Sequence, residues 1–146
     1  MSDLVLRRAD LNDAERLFVW RNDPATRAAS KDQRPLDMET HLNWLSSVLV
    51  DPDRNLLIAE LDGEAVGTCR ADLLENVSVI SWTIAPESRG QGVGKRMVHQ
   101  FLSQLKGSVR AEIRDGNRAS SRIAESVGLK LIAEKDGFKY FGRLEI

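Results

Sequence analysis

Three glycines at alternate positions constrain the fold of this chain more than any other feature of its sequence. Gly90, Gly92 and Gly94 stand between an apolar run that ends at Ala85-Pro86 and a stretch with helical spacing. Because glycine has no Cβ, consecutive backbone N–H groups can turn to one side and approach an anion closely. The start of a helix adds unpaired N–H groups and the positive end of its dipole. A strand, a glycine loop and a helix start in this order predict a pyrophosphate-binding site.

Basic residues flank this loop, with Arg89 before it and Lys95 and Arg96 after it. The spacing excludes two familiar phosphate loops. A Walker-type loop needs glycine where Arg89 stands and serine or threonine where Arg96 stands. The dinucleotide fingerprint needs glycine at the position of Lys95. A plain tight turn needs only one or two glycines, so three glycines with flanking positive charge favour an anion-binding loop.

A chain of 146 residues is the size of one ordinary domain, so residues 1–146 are predicted to form a single unit. The net charge of −1 gives no general attraction for nucleic acid, and no such partner is expected. Cys69 is the only cysteine, which excludes internal disulfides and thiolate metal sites. Neither a signal peptide nor an apolar run of roughly 18 residues is visible. A cytoplasmic protein without a metal or a membrane partner is therefore expected.

Short apolar runs alternate with helical patterns, which predicts an α/β protein (an α+β mixed sheet) with helices on both faces. The predicted order is β-α-α-β-β-β-α-β-α-β-β, without the strict alternation of a doubly wound fold. Strands are predicted at residues 3–8, 55–61, 64–72, 77–85, 109–113, 129–135 and 138–144. Helices are predicted to end near residues 22, 50, 105 and 127 and to begin at Asn12 or Asp13, Asp37, Gln91 and Asn117.

The segment from Pro86 to Gly94 resembles the acetyl-CoA-binding signature of the GNAT superfamily, in which Arg or Gln is followed by two residues, Gly, one residue, and Gly or Ala. Asn117, Ser120 and Gly128-Leu129 resemble the second motif of that superfamily, and the element order agrees over nearly the whole chain. The resemblance implies an acetyl-CoA-dependent N-acetyltransferase. It also implies a sheet that splays between its fourth and fifth strands, with the thioester entering the gap.

The same resemblance implies where the cosubstrate binds. The backbone near Ile84 would pair with the pantetheine arm as if with an added strand, and the amides from Arg89 to Gly94 would hold the pyrophosphate. Asn117 would contact the ligand, although a plain helix cap explains that residue equally well. The cofactor-binding residues predicted in this way are Ile84, Arg89, Gly90, Gln91, Gly92, Val93, Gly94, Lys95, Asn117 and Ser120.

The resemblance further implies direct attack of the amine on the thioester, without a covalent acyl-enzyme. Such a reaction needs a neutral amine, a stabilised oxyanion and a proton for the leaving thiolate. In many relatives a tyrosine seven residues after the motif asparagine supplies that proton, but this position is Ala124. The candidate acids are therefore Ser120, Ser121 and Tyr140, and the candidate bases are His41, Asp72 and Glu75. Inert packing is favoured for Cys69, which lies among small apolar residues.

The acceptor side resembles amino-sugar N-acetyltransferases of pseudaminic-acid pathways, which predicts a nucleotide-linked amino sugar as the small-molecule amine. The residues that carry this resemblance are Trp20, Arg21, Asn22, His41, Trp44, Arg70 and Asp72. Core packing of the two tryptophans and half-burial of His41 are the structural alternatives. A peptide amine, as in ribosomal-protein acetyltransferases, and a coenzyme A-binding module without catalysis stay open as other functions. Edge strands in the C-terminal hairpin make a homodimer plausible.

Overall fold

The computed structural model describes residues 3–143, which form a mixed seven-stranded sheet with helices on both faces. The strands are β1 (Leu4–Arg8), β2 (Arg54–Leu61), β3 (Glu64–Leu74), β4 (Val77–Ile84), β5 (Ser108–Arg114), β6 (Lys130–Lys135) and β7 (Phe138–Arg143). The α-helices are α1 (Ala14–Asn22), α2 (Pro24–Ala29), α3 (Met38–Val50), α4 (Val93–Gln104) and α5 (Arg118–Ser126).

The sheet opens between its two parallel strands. Its order is β1-β2-β3-β4-β5-β7-β6, and every neighbouring pair is antiparallel except β4 and β5. Those two strands pair only from Val77–Ile80 to Ser108–Ala111, so residues 81–84 and 112–114 face each other across a gap. The predicted mixed sheet and its splay between the fourth and fifth strands are both confirmed.

Alternation along the strands divides the side chains between two cores. Leu57, Cys69 and Ile80 pack with α4, on the face that we call the α4 face. Leu56 and Ile58 pack with α1 and α3, on the face that we call the α3 face. Since successive side chains of a strand point to opposite faces, the residues between those of the α4 face belong to the α3 face. The α3 face near the gap therefore carries Arg70 and Asp72 of β3, Ser81 of β4, Glu112 of β5 and Tyr140 of β7.

One helix is absent from the predicted order. The sequence pattern ends the first helix at Asn22-Asp23-Pro24, but α2 begins at once after α1. The Asp23 carboxylate accepts the Thr26 amide at 3.1 Å, and proline occupies the first helical position, where it needs no donor. The first helix begins after Asp13 as predicted, but the Asp13 side chain forms no capping hydrogen bond with α1. Asp10 instead accepts the Asn12 amide and caps a short 3-10 turn that precedes α1. Leu144, the predicted end of the last strand, lies outside the described residues.

Arg7→Met is expected to lower the free energy of unfolding by about 2 kcal/mol, because it leaves a buried carboxylate without its main partner. Arg7 donates to both oxygens of Asp13 at 2.8 and 2.7 Å, and Asp13 is 1% exposed. Urea denaturation measures the change. Arg34→Met is the matched control, since it removes an exposed ion pair with Asp32 and should leave stability unchanged. Equal losses in the two variants would contradict the prediction.

Candidate active site

The glycines of the loop serve two different physical needs. Gly90 and Gly92 have φ of +76° and +77°, and nothing lies within 4 Å of a Cβ built on either. Gly94 instead lies inside α4, where a Cβ would be 2.5 Å from Cδ1 of Ile123 and 3.3 Å from Cδ1 of Ile84. The first two glycines therefore turn the backbone beside open space. The third lets α4 approach α5 and β4 closely.

The loop and the first turn of α4 present backbone donors without acceptors. Within residues 3–143, no hydrogen bond is formed by the amides of residues 90 and 92–95, and we call this loop with the first turn of α4 the cradle. The Arg89 amide, predicted to belong to this cradle, instead donates to the carbonyl of Pro86 at 3.4 Å. Lys95 is exposed on the same turn. Adjacent unpaired N–H groups at the positive end of a helix form a site for a phosphate group.

The Arg89 side chain connects this loop to the start of α2. Its Nη2 donates to Oδ2 of Asp23 at 2.9 Å and to Oγ1 of Thr26 at 3.0 Å. The hydrogen bond from Arg89 lowers the pKa of Asp23, which stays ionised as the cap of α2. Gln91 is tied to the preceding turn, where its side-chain amide donates to the Glu87 carbonyl at 3.3 Å. Two elements distant in sequence therefore meet at the edge of the cradle.

The gap continues from the cradle along the unpaired end of β4. Residues 81–84 and 112–114 have no partner in each other's strand. The indole nitrogen of Trp82 is buried at this edge without a partner among the described residues. Asn117 caps α5, since its Oδ1 accepts the Ser120 amide at 3.3 Å. Ser120 and Ser121 are half-buried in the same turn. A free strand edge and an orphan donor are thus available to an extended ligand.

On the α3 face, two arginines lie against Trp44, and the His41 ring stacks on it with the ring centres 5.8 Å apart. The guanidinium carbons of Arg21 and Arg70 lie 4.5 and 5.5 Å from the centre of its ring. Trp44 is therefore a platform for arginines rather than for a base or sugar ring. Arg70 and Arg54 each donate to Asp72 at 3.2 Å, so both oxygens of that carboxylate are engaged in ion pairs. Nη1 of Arg21 is buried and has no partner in the described part of the chain.

Glu112 is a residue that the sequence analysis did not select. It is the first residue of β5 beyond its last parallel pair with β4, and Ser81 is the corresponding residue of β4. Both lie on the α3 face at the mouth of the gap. Glu112 is directly opposite Tyr140 of β7, and its side chain, 17% exposed, accepts from Lys31 at 2.6 Å. Arg110 lies 3.7 Å from its other oxygen. A carboxylate therefore stands where the sheet opens.

Several predicted site residues lie away from this opening. Trp20 and His41 are buried, and Asn22 uses both ends of its amide to hold Leu36. Glu75 is exposed in the β3–β4 turn, at the paired end of those strands. Cys69 is 1% exposed in the α4-face core, and burial raises the pKa of its thiol well above the usual range. Inert packing of Cys69 fits its place in the core.

The family of the chain follows from comparison with known proteins. Residues 3–130 match the model of the family described as Acetyltransferase (GNAT) domain. This chain is a GNAT acetyltransferase domain. The glycine loop, the cap of α5 and the splay of β4 from β5 all fall within the matched residues. No curated protein sequence matches this GNAT domain.

Solved structures share the fold of this GNAT domain. A domain from Methanocaldococcus jannaschii is 24% identical with a TM-score of 0.88, over 99% of this chain and 100% of that one. Spermidine N-acetyltransferase from Vibrio cholerae, solved with coenzyme A and spermine, is 13% identical with a TM-score of 0.84, over 97% and 95%. Ribosomal-protein-alanine N-acetyltransferase from Brucella melitensis is 22% identical with a TM-score of 0.80, over 97% and 99%. Identities this low show the shared fold alone.

The described residues of the GNAT domain contain neither a candidate membrane span nor a candidate metal site. Within residues 3–143, none of the helices has the length and apolar character needed to cross a bilayer. In the same part of the chain, no three His, Cys, Asp or Glu side chains converge to hold a metal ion.

The stability of this GNAT domain is expected to fall between pH 7.5 and 5.5 because of His41. Its Nε2 donates to the Ala14 carbonyl at 2.9 Å, and Nδ1 is buried without a partner in the described chain. Burial lowers the pKa of His41, so the folded state binds fewer protons than the unfolded state and loses stability as the pH falls below about 6.5. Urea midpoints across this range, compared for His41→Gln and the exposed His99→Gln, measure the effect. If the urea midpoint of His41→Gln fell with pH as steeply as that of the unmodified protein, the prediction would be wrong.

Proposed function

We propose that this acetyltransferase moves the acetyl group of acetyl-CoA to the primary amine of a nucleotide-linked amino sugar by direct attack. The observation that carries the choice of acceptor is the positive charge of the α3 face beside the gap. Asp72 and Glu112 are each shared by two cations. Among residues 3–143, Arg21 and Arg114 have no carboxylate within ion-pair distance: Arg21 lies over Trp44 and Arg114 donates to the Ser30 carbonyl.

The cradle fits the diphosphate of coenzyme A. Unpaired amides at Gly90 and from Gly92 to Lys95 supply donors, and the open space beside the two positive-φ glycines leaves room for phosphate oxygens. Past the cradle, the free edge of β4 near Ile84 matches the amide-bearing pantetheine arm, as an added strand would. The orphan indole N–H of Trp82 offers that arm a further donor. When bound, acetyl-CoA supplies an acetyl thioester activated for attack by an amine.

Glu112 is placed to take the proton of the attacking amine. Its carboxylate lies at the mouth of the gap on the α3 face, where an acceptor held by Arg21 and Arg70 would approach. A carboxylate at this position also attracts the ammonium form of the acceptor. Tyr140, across from Glu112 on β7, and Ser120 with Ser121, at the start of α5, stay the candidate donors to the leaving thiolate.

The positive charge of the α3 face favours a different kind of acceptor from the one bound in the Vibrio cholerae structure. Spermine, bound in the Vibrio cholerae structure, is a polycation and would be repelled by Arg21 and Arg70. A diphosphate would instead supply acceptors for Nη1 of Arg21, which is buried without one. Arg114, held by the Ser30 carbonyl and stacked on Phe138, adds positive charge farther along β5. An anionic acceptor therefore fits this face better than a cationic one.

Thiol release from acetyl-CoA with a panel of amines tests the proposal. The panel contains a uridine-diphosphate-linked amino sugar, the same sugar without the nucleotide, a peptide that begins with alanine, and spermidine. We expect the nucleotide-linked sugar to have the highest kcat/KM. Arg21→Gln should lower that value at least about tenfold, through loss of a hydrogen bond to a charged group, whereas the exposed control Arg118→Gln should not. A higher kcat/KM for the peptide than for the nucleotide-linked sugar would reject the sugar as the acceptor. Binding of coenzyme A without turnover of any amine would indicate a binding module that lacks catalysis.

The homodimer and the cytoplasmic location stay predictions. β6 lies at the edge of the sheet, and all six of its residues are exposed. Leu131 and Ile132 are 50% and 58% exposed. An unpaired strand with apolar side chains supports pairing between two copies of the chain. Sedimentation of the protein, with Ile132→Lys as the variant expected to be monomeric, measures this.

A further inference from the structure

Lys31 already places a primary amine on the carboxylate at the mouth of the gap. Its Nζ lies 2.6 Å from Oε1 of Glu112 and 5.4 Å from the centre of the Phe138 ring. The side chain of Lys31 is 63% exposed, whereas that of Glu112 is 17% exposed. The amine therefore reaches inward from a loop at the surface to a largely covered carboxylate.

The loop that carries Lys31 is tied down on both sides. Nη2 of Arg114 donates to the carbonyl of Ser30 at 2.7 Å. At the other end, the amide group of Asn22 donates to the Leu36 carbonyl and accepts from its N–H, both at 2.8 Å. Because both ends are fixed, the position of Lys31 over the α3 face follows from the fold. A lysine held in this way has a high effective concentration at Glu112.

We propose that Lys31 is an acceptor of the enzyme's own reaction, so that its Nζ is acetylated within the same molecule when no other amine is present. The proposal rests on the proposed function, in which Glu112 binds the acceptor ammonium and takes its proton. Lys31 occupies the position on Glu112 that this mechanism assigns to the acceptor. The modification site is therefore an exposed lysine on the acceptor side, and the acetyl donor is the cosubstrate itself.

The step balances without any further reactant. Nζ of Lys31 gives one proton to Glu112, and its lone pair forms a bond to the thioester carbonyl carbon. The bond from that carbon to sulfur breaks, the nitrogen gives up its second proton, and the leaving thiolate takes up that proton. The products are a neutral amide on Lys31 and free coenzyme A, and nothing is oxidised or reduced. Acetylation removes the charge of Lys31, so its ion pair with Glu112 is lost and the carboxylate becomes free for another amine.

The position of Lys31 distinguishes it from other lysines of the chain. Lys95, on the first turn of α4, is exposed and has no ion pair among the described residues. Lys106, Lys130 and Lys135 are exposed as well. Acetylation that proceeds by chemical reactivity alone would favour such exposed amines. Acetylation that depends on Glu112 would favour Lys31.

Incubation of the purified protein with acetyl-CoA and no other amine tests the inference. Intact-mass and peptide measurements are expected to show one added acetyl group, at Lys31, at a rate that does not depend on protein concentration. Lys31→Arg keeps the charge and should lose the label. Lys130→Arg, an exposed lysine of β6, should keep it. Glu112→Gln should slow labelling at least about 100-fold, as expected for loss of a general base.

The outcomes separate this inference from the proposed function. Coenzyme A binding and turnover of an external amine, with Lys31 unmodified, would overturn the inference and leave the proposed function standing. Label spread over many lysines at a rate unaffected by Glu112→Gln would also overturn the inference. Failure to bind coenzyme A would overturn both.

Discussion

Replacing Gly92 by valine is expected to weaken coenzyme A binding by about 100-fold while the domain stays folded. Gly92 has φ of +77°, which a β-branched residue adopts only with strain, and it precedes the first turn of α4. A shift of this backbone would turn the unpaired amides of the cradle away from the phosphates. Loss of two charge-assisted hydrogen bonds, at about 1.5 kcal/mol each, corresponds to this change in Kd. Calorimetric titration with coenzyme A measures it.

The control for this prediction is Gly63→Val. Gly63 has φ of +86° in the β2–β3 hairpin, and nothing lies within 4 Å of a Cβ built there, as at Gly92. The two variants therefore carry similar backbone strain, but only one alters the cradle. Thermal unfolding should show comparable losses of stability, and only Gly92→Val should lose affinity. Unchanged binding in Gly92→Val, or an equal loss in Gly63→Val, would remove the basis for a backbone cradle.

Local patterns made most of the fold predictable. The side chains of β5 alternate between buried and less buried positions, as its sequence predicts. The predicted caps Asp37 and Asn117 each accept the backbone amide three residues ahead, a contact that a short polar side chain makes within its own turn. The glycine loop was recognisable since strand, glycines and helix follow one another directly. The short helix α2 was missed because Pro24 was read as a stop, although proline also starts helices.

The candidate site depended more on contacts between distant parts of the chain. Arg89 pairs with Asp23 across 66 positions, and nothing near either residue indicates the other. The place of Glu112 in the site depends on where β4 and β5 stop pairing, which the sequence does not indicate. At Ala111, one residue before Glu112, the two strands are still paired. In the sequence, Glu112 alternates with the apolar residues Ala111 and Ile113, which are buried. This alternation predicts the face of the sheet on which Glu112 lies but not a role in the reaction. The substrate-side pattern likewise did not decide between ligand contact and packing in the core, and the structure places Trp20 and His41 in the interior.

Glu112→Gln is expected to lower kcat with the preferred amine at least about 100-fold, with little change in coenzyme A affinity, since it removes the proton acceptor but keeps the shape of the side chain. Asp72→Asn is the comparison that decides between the two carboxylates of the α3 face. Asp72 lies where β3 pairs with β4 and is held by Arg54 and Arg70, so its loss should act mainly through KM, by loosening the arginines that face the acceptor. The steady-state kinetics of both variants, measured with the same amine from pH 6 to 9, separate these effects. A larger fall of kcat in Asp72→Asn than in Glu112→Gln would indicate that Asp72, and not Glu112 at the mouth of the gap, is the general base.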